Sequence, residues 1–215
     1  MKKLILMLLV LATVSFKISA QDNAKAKAIL DGVCAQTKQY TSIDIAFSYK
    51  MENKTKKINE TKTGVATMKG DKFWLEFSGQ QIMSDGKTVW TYIKDNNEVQ
   101  INTNNPNDDQ AMNPAKLLTG YDKSFTPKFI KEETRGAVIF QIIDLTPLKA
   151  RSYFKMRVEI DKTKKQIVNA IIYDKNGSTV YTYTVTKFVT NKVVSDTKFT
   201  FKNADHPGVE VIDLR

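Results

Sequence analysis

Hydrophobic residues recur at two different periods along the chain, and the change from one period to the other falls near residue 40. From Asp22 to Gln39 they recur every three to four residues, with lysines on the other side. This spacing predicts an amphipathic helix. The positions of its stripe are Ala26, Ile29, Leu30, Val33 and Thr37. From Ile43 onward apolar and polar residues alternate, which is typical of half-buried β-strands.

Alternating segments separated by turn-forming residues predict about eleven strands in hairpin order. Asp85-Gly86 and Asn176-Gly177 are strong hairpin turns. A chain of consecutive hairpins favours one large, strongly curved antiparallel sheet with helices on one side. The candidate segments are residues 43–51, 64–69, 73–77, 88–93, 99–103, 125–132, 137–145, 153–161, 166–174, 179–189 and 198–201, and residues 81–83 lead into the Asp85-Gly86 turn.

The middle of the chain breaks this pattern. Asn113-Pro114 is typical of a helix start and Gly120 of a helix stop, so we expect a short helix over residues 115–119 with Met112, Leu117 and Leu118 on its apolar side. One long helix and one short one cannot fill the concave side of so many strands. The periodicity therefore leaves two outcomes open: an apolar cavity, or a core filled by large side chains.

The first 20 residues have the features of a secretory signal peptide. A basic start is followed by an apolar run from Leu4 to Val14 and by Ser19-Ala20. The apolar run is shorter than the roughly 20 residues that span a bilayer. We expect cleavage after Ala20 and a single domain over residues 21–215. Loss of three lysines lowers the formal net charge from +10 to +7 (10 − 3).

Composition excludes most catalytic and metal chemistry. Cys34 is the only cysteine, which excludes an intramolecular disulfide and a thiolate metal cluster, and we interpret it as a small buried hydrophobe. His206 is the only histidine, and its Asp205-His206 pair lies in a predicted turn, so an enzyme is a weak alternative. No cofactor or metal site is predicted.

Lysines are spread along the chain, with two runs at hairpin connections. The runs are Lys54 to Lys57 and Lys162 to Lys165. The simpler interpretation is that they are solvated turns; the alternative is that they attract anionic lipid headgroups or an acidic patch on a partner. Nucleic acid is not expected for an exported protein.

Two segments and the chain's end resemble the outer-membrane lipoprotein carrier (LolA) family. Met68 to Phe77 (MKGDKFWLEF) and Ser84 to Tyr92 (SDGKTVWTY) are similar to the family's Arg-Pro-x-x-Phe-x-Trp strand and Ser-Asp-Gly-Lys-x-x-Trp-x-Tyr hairpin. Lys198 to Phe201 with Pro207 to Val211 resembles its Phe-x-Phe-x-x-Pro-x-Gly-Val ending. The resemblance implies a mainly β (α+β) fold: a half-barrel of eleven antiparallel strands with a helical lid over an apolar cavity.

The resemblance also implies site residues. The expected lining of a lipid-binding cavity is Phe47, Phe73, Leu75, Phe77 and Met83, and the expected lid is Met112, Leu117 and Leu118. The family's arginine, which ties lid to barrel by hydrogen bonds, aligns with Lys69. Lysine keeps the positive charge but lacks the forked geometry of a guanidinium. Lys69 is therefore expected either to donate a single hydrogen bond to the lid or to be a solvated lysine at the end of a strand.

The function implied is that of a monomeric periplasmic carrier in a Gram-negative bacterium. Such a protein receives acylated lipoproteins from an inner-membrane ABC transporter and delivers them to an outer-membrane acceptor lipoprotein. A carrier of another amphiphile, such as a glycolipid or lipid pigment, needs the same cavity and stays open as the alternative. A sensor of mislocalised lipoprotein is less favoured, because we expect neither a second domain nor a membrane anchor.

Overall fold

In the computed structural model, residues 21–104 and 120–215 are described. Residues 21–37 form helix α1, which confirms the amphipathic helix predicted from the three-to-four spacing. Ala26, Leu30 and Val33 are almost completely buried, and Cys34 is half-buried beside them. Burial raises the pKa of the Cys34 thiol, so it stays protonated at neutral pH and packs as a small apolar group.

Twelve β-strands lie within the described residues, and most match the alternating segments of the sequence. The first six are β1 (Ile43–Asn53), β2 (Ile58–Lys69), β3 (Lys72–Phe77), β4 (Gln80–Ser84), β5 (Thr88–Ile93) and β6 (Glu98–Thr103). The others are β7 (Phe125–Arg135), β8 (Val138–Pro147), β9 (Tyr153–Asp161), β10 (Gln166–Asp174), β11 (Thr179–Thr190) and β12 (Glu210–Asp213). Short 3-10 turns precede β6, β7 and β12.

All twelve strands belong to one open sheet. Their order across it is β12-β6-β5-β4-β3-β2-β1-β11-β10-β9-β8-β7, so β12 and β7 form the two edges. Pairs from β1 to β11 are antiparallel, and β1 joins β11 in the middle of the sheet. Strand β12 pairs in parallel with β6. The open sheet fits the predicted half-barrel, but it is mixed.

The end of the chain corrects the sequence prediction. We expected about eleven strands, all antiparallel, with one over residues 198–201. Instead Asp196–Phe199 is a 3-10 helix and the last strand is Glu210–Asp213. The physical reason is that the Phe199 side chain packs against the sheet and is completely buried, which it would not be in an extended edge strand. The expected helix over residues 115–119 lies outside the described residues.

Helix α1 packs against one face of strands β7 to β10, which we call the inner face. This core includes Ile143, Leu145, Met156, Val158 and Ile160 from the strands. Tyr121 fixes the helix from the other side, since its hydroxyl donates a hydrogen bond of 2.9 Å to the Asp31 carboxylate. The helix therefore occupies only one half of the inner face.

The segment after β11 crosses the opposite, outer face of the other half. Residues Asp196–Phe199 contact β3 and β4. The Lys198 ammonium lies 4.2 Å from the Trp74 ring centroid, and the Phe201 ring packs 5.4 Å from that of Tyr92. The sheet is thus covered on opposite faces in its two halves.

Candidate functional site

The inner face of β1 to β3 lies beyond helix α1 and carries rows of mainly apolar side chains. The rows follow from the cross-strand register, since directly paired residues project from the same face. They are Ile43-Met68-Phe73, Ile45-Ala66-Leu75 and Phe47-Gly64-Phe77. The register continues the second row to Ile82 on β4. No described segment of the chain packs over Leu75 and Phe77 as α1 packs over the other half.

The first row forms a small closed core. Ile43, Met68 and Phe73 are all at least nine-tenths buried, with Tyr40 and Phe188 packed against them. Leu75 and Phe77 in the following rows are only half-buried. Ala66 and Phe47 in those rows are buried, so the inner face is closed along the first row and its half-buried side chains in the next two rows lie toward β3.

Five aromatic rings form a continuous cluster at the open end. Phe47 and Phe77 lie 5.7 Å apart, and Tyr49 lies 5.2 Å from both Phe77 and Tyr183. Tyr181 extends the cluster on β11, 6.2 Å from Tyr49. These spacings are those of directly packed aromatic pairs. The cluster joins the inner faces of β3, β1 and β11 into one apolar surface.

Three of these rings carry hydroxyl groups. Among the described residues, the hydroxyls of Tyr49, Tyr181 and Tyr183 have no hydrogen-bond partner, although each is a donor and acceptor. Burial raises the pKa of Tyr183 to about 12, with Tyr49 and Tyr181 adding to the shift. Burial raises the pKa of Tyr49 as well, and all three hydroxyls can offer hydrogen bonds to a molecule lying on the surface.

The structure brings most of the predicted cavity residues together. Phe47, Phe73, Leu75 and Phe77 project from the inner face, in adjacent rows. The placement of Met83 is corrected. It pairs with Trp74, which alternates with Phe73 and Leu75, so Met83 projects from the outer face and is buried there. The inner-face residue of β4 is Ile82, one position away.

Lys69 also projects from the outer face, since it alternates with Met68 on β2. Its ammonium donates hydrogen bonds to the Val194 carbonyl at 3.0 Å and to the Asp196 carboxylate at 2.8 Å. Both partners belong to the segment after β11. Lys69 is thus a partly exposed lysine held by the segment after β11. The predicted lid residues Met112, Leu117 and Leu118 lie outside the described residues.

Sequence reasoning missed the tyrosines of the aromatic cluster. Tyr49 was in the predicted β1 alternation, and Tyr181 and Tyr183 alternate in the same way along β11. The missing information was the pairing of β1 with β11, which are separated by more than 120 residues. Only this pairing makes the three rings neighbours.

His206 lies among aromatic rings. Its ring stacks on Phe201 at 4.6 Å and lies 4.3 Å from Tyr92, on the outer face. The part of the chain that the structure describes contains no group of three His, Cys, Asp or Glu side chains arranged to hold a metal ion. Within residues 21–104 and 120–215, no helix is both long and apolar enough to cross a membrane.

The fold and this inner face define the class of protein, and similar structures agree on the fold. An uncharacterized conserved protein from Thermus thermophilus superposes with a TM-score of 0.62 at 13% identity, over 88% of this chain and 99% of its own. A putative outer membrane lipoprotein-sorting protein domain from Vibrio parahaemolyticus gives a TM-score of 0.52 at 12% identity, over 83% and 97%. No curated protein sequence matches significantly.

The family follows from the sequence. The family model for the outer membrane lipoprotein carrier protein LolA matches residues 38–202. The chain therefore belongs to the LolA family. The match begins just after α1 and ends just after the buried Phe199.

Proposed function

We propose that the protein is a periplasmic carrier that shields the acyl chains of lipoproteins on the inner face of its half-barrel. The observation that carries the proposal is the apolar surface of the half-buried Leu75 and Phe77, which continues through the five-ring cluster to the edge of the core beneath α1. Membership of the LolA family supports the same interpretation. Helix α1 fills the other half with a permanent core, so we infer that cargo lies beside it.

The energy scale requires an extensive apolar surface. Exposing one acyl methylene to water costs about 0.8 kcal/mol, so a chain of about 16 carbons costs on the order of 13 kcal/mol. Aromatic and aliphatic side chains spread over β1 to β4 and β11 can offset much of this cost. A surface of this kind binds acyl chains without directional bonds, which permits transfer without chemical energy from the carrier.

The tyrosine hydroxyls suit the other end of the cargo. The acyl chains of a lipoprotein are attached through ester and amide carbonyls, which accept hydrogen bonds. Tyr49, Tyr181 and Tyr183 supply hydroxyl donors at the border of the apolar surface. We infer that the carbonyl region of the cargo lies near these three hydroxyls.

The remaining steps of the proposal follow the family. Residues 1–20 would direct export and be removed, and residues 21–215 would act as one monomeric domain. An inner-membrane ABC transporter would load the carrier, and an outer-membrane acceptor lipoprotein would unload it. The protein would perform no catalysis, and it would need no cofactor and no nucleic acid.

Native mass spectrometry of the protein purified from its own periplasm tests the proposal. A bound triacylated lipoprotein supports it and identifies the cargo. A bound glycolipid or lipid pigment moves the function to another amphiphile on the same face. A protein without ligand that also fails to take up a synthetic tripalmitoylated lipopeptide overturns the proposal.

A matched pair of variants locates the site. Leu75→Gln introduces a polar side chain on the inner face, whereas Val65→Gln does so on the outer face of the adjacent strand, at another partly exposed apolar position. We expect Leu75→Gln to weaken lipopeptide binding about tenfold, since burial of a leucine contributes about 1.5–3 kcal/mol. Val65→Gln should bind normally. Equal effects of the two changes would place the lipid elsewhere.

A further inference from the structure

Strands β10 and β11 separate along part of their length. Their pairing runs from Tyr173↔Val180 to Asn169↔Thr184 and stops there. Beyond that point β10 stays paired with β9 as far as Gln166, and β11 stays paired with β1 as far as Thr190. A gap therefore opens in the middle of a sheet that is otherwise continuous.

Both strands have a β-bulge at the point where their mutual pairing ends. The register of β11 against β1 shifts between Val185 and Lys187, and that of β10 against β9 shifts between Ile167 and Asn169. Such bulges insert one unpaired residue, bend the strand and increase its twist. Two facing bulges leave two strand edges whose main-chain groups on the gap side have no partner strand.

The gap is a cavity of about 370 Å³ with a defined chemistry. Its lining combines the apolar residues Ile167, Val168, Val185 and Phe188 with the polar residues Gln166 and Thr186, and two lysines, Lys164 and Lys187, lie at its border. None of the lining residues is acidic. Lys164 approaches Asp161 only at 3.9 Å, and among the described residues Lys187 and Lys165 have no ion-pair partner.

A further polar group lies where the pairing ends. The Asn169 amide nitrogen donates to Glu159 at 2.8 Å, but its buried Oδ1 has no hydrogen-bond partner. A buried acceptor without a partner costs free energy, although Asn169 is not among the residues that line the gap. The Glu159 charge is already neutralised by a bidentate Arg135, so it does not oppose an acidic ligand.

We propose that this gap binds an extended peptide segment with acidic side chains, which pairs through its main chain with the free edges of β10 and β11. Unpaired strand edges are the usual receptor for such β-augmentation. The positive border of Lys164 and Lys187 selects acidic side chains over basic ones. At about 3.3 Å per residue, the free stretch from Val185 to Thr190 accommodates a segment of about six residues.

A lipid surface fits the gap less well. Ile167 packs in the core beneath α1, and Phe188 packs against Ile43 and Phe73. The apolar lining is therefore recessed behind the strand edges and does not protrude toward a bilayer. The peptide site is also independent of the proposed lipid face, so Leu75→Gln should leave it unchanged.

The test uses a capped octapeptide in which glutamate alternates with threonine or valine. Titration into ¹⁵N-labelled protein should give saturable shifts at amides 166–169 and 184–188, with an affinity between micromolar and millimolar. A peptide N-methylated at alternate positions, which lacks the pairing N–H groups, should bind at least tenfold more weakly. A peptide with lysine in place of glutamate should do the same.

Charge-reversal variants provide the matched control. Lys164→Glu with Lys187→Glu should weaken binding at least tenfold, whereas Lys54→Glu with Lys56→Glu, in the other lysine-rich turn, should not change it. Equal binding of the N-methylated peptide, or shifts confined to other amides, would overturn the proposal. So would binding of phosphatidylglycerol vesicles that depends on Lys164 and Lys187 when the octapeptide does not bind.

Discussion

The ring of Phe47 lies over Gly64 on the neighbouring strand. A Cβ atom at Gly64 would come within 2.9 Å of Phe47 Cε1 and still closer to Cζ. The two residues are directly paired across β1 and β2. The absence of a side chain at Gly64 is therefore what lets Phe47 reach Phe77 and join β1 to β3 in the aromatic cluster.

Gly64→Ala should destabilise the protein by about 1–3 kcal/mol, because the added methyl group must displace a packed ring. Urea unfolding measures the change. Gly32→Ala in α1 is the control: a Cβ there meets no atom within 4 Å, so it should stabilise by about 0.5–1 kcal/mol. Adding Phe47→Leu to Gly64→Ala should recover part of the loss. Additive losses would show that the two residues are not coupled.

The Arg135–Glu159 pair should make stability depend on pH. The Arg135 guanidinium lowers the pKa of Glu159, whose side chain is 8% exposed. Because the pKa is lower in the folded state, this contribution is complete above the unfolded value of about 4.3 and is lost as pH falls through the folded value. Arg135→Gln should therefore cost about 1–3 kcal/mol at pH 7 and less near pH 3.

Urea midpoints of the wild type and Arg135→Gln between pH 3 and pH 7 measure this difference. Arg215→Gln is the matched control, because Arg215 makes the same two-pronged contact with the exposed Asp213. An exposed pair of this kind contributes little, so no measurable change is expected. A pH-independent cost in Arg135→Gln would assign the loss to packing of the arginine stem.

Lys69 and Lys72 should differ in how they hold the segment after β11. Both ammonium groups bind Asp196, at 2.8 and 2.7 Å, and together they lower its pKa to about 2. Only Lys69 also bonds the Val194 carbonyl. Hydrogen exchange of amides 194–199 should accelerate in Lys69→Met and less in Lys72→Met. Equal acceleration would show that the carbonyl bond adds nothing.

Cys34 should react slowly while the protein is folded. Burial raises its pKa, and the thiolate is the reactive form. At pH 8 its alkylation by iodoacetamide should be at least tenfold slower than that of free cysteine. The same chain in concentrated urea is the control and should react at the free rate. Fast alkylation of the folded protein would contradict the packing of α1 described above.

The local part of the fold was predictable from the sequence. Turns such as Asp85-Gly86 need a positive backbone angle at glycine, and Gly86 has a φ of 97°. The face of the sheet from which Met83 projects was also predictable from the sequence. Ser78 and Gly79 form a two-residue turn that pairs Phe77 with Gln80, and counting back from it puts Ile82, not Met83, opposite Leu75.

The distant pairings were not predictable. Strand β12 pairs with β6, more than 100 residues away, and its four residues carry too short an alternation to be recognised. Residues 198–201 alternate as a strand does, but burial of Phe199 outweighs that local preference. The gap between β10 and β11 depends on two bulges at one level, which no local pattern encodes.

Helix α1 covers the inner face of one half of the sheet, whereas the segment after β11 covers the outer face of the other half. This arrangement determines which parts of the molecule can open separately. Helix α1 and its strands form one packed unit, and in the other half the segment after β11 packs on the outer face, where Phe201 contacts Tyr92. Local unfolding in proteins follows such units. Under the proposed function, cargo would enter and leave the aromatic surface while the layers that hold the backbone stay closed.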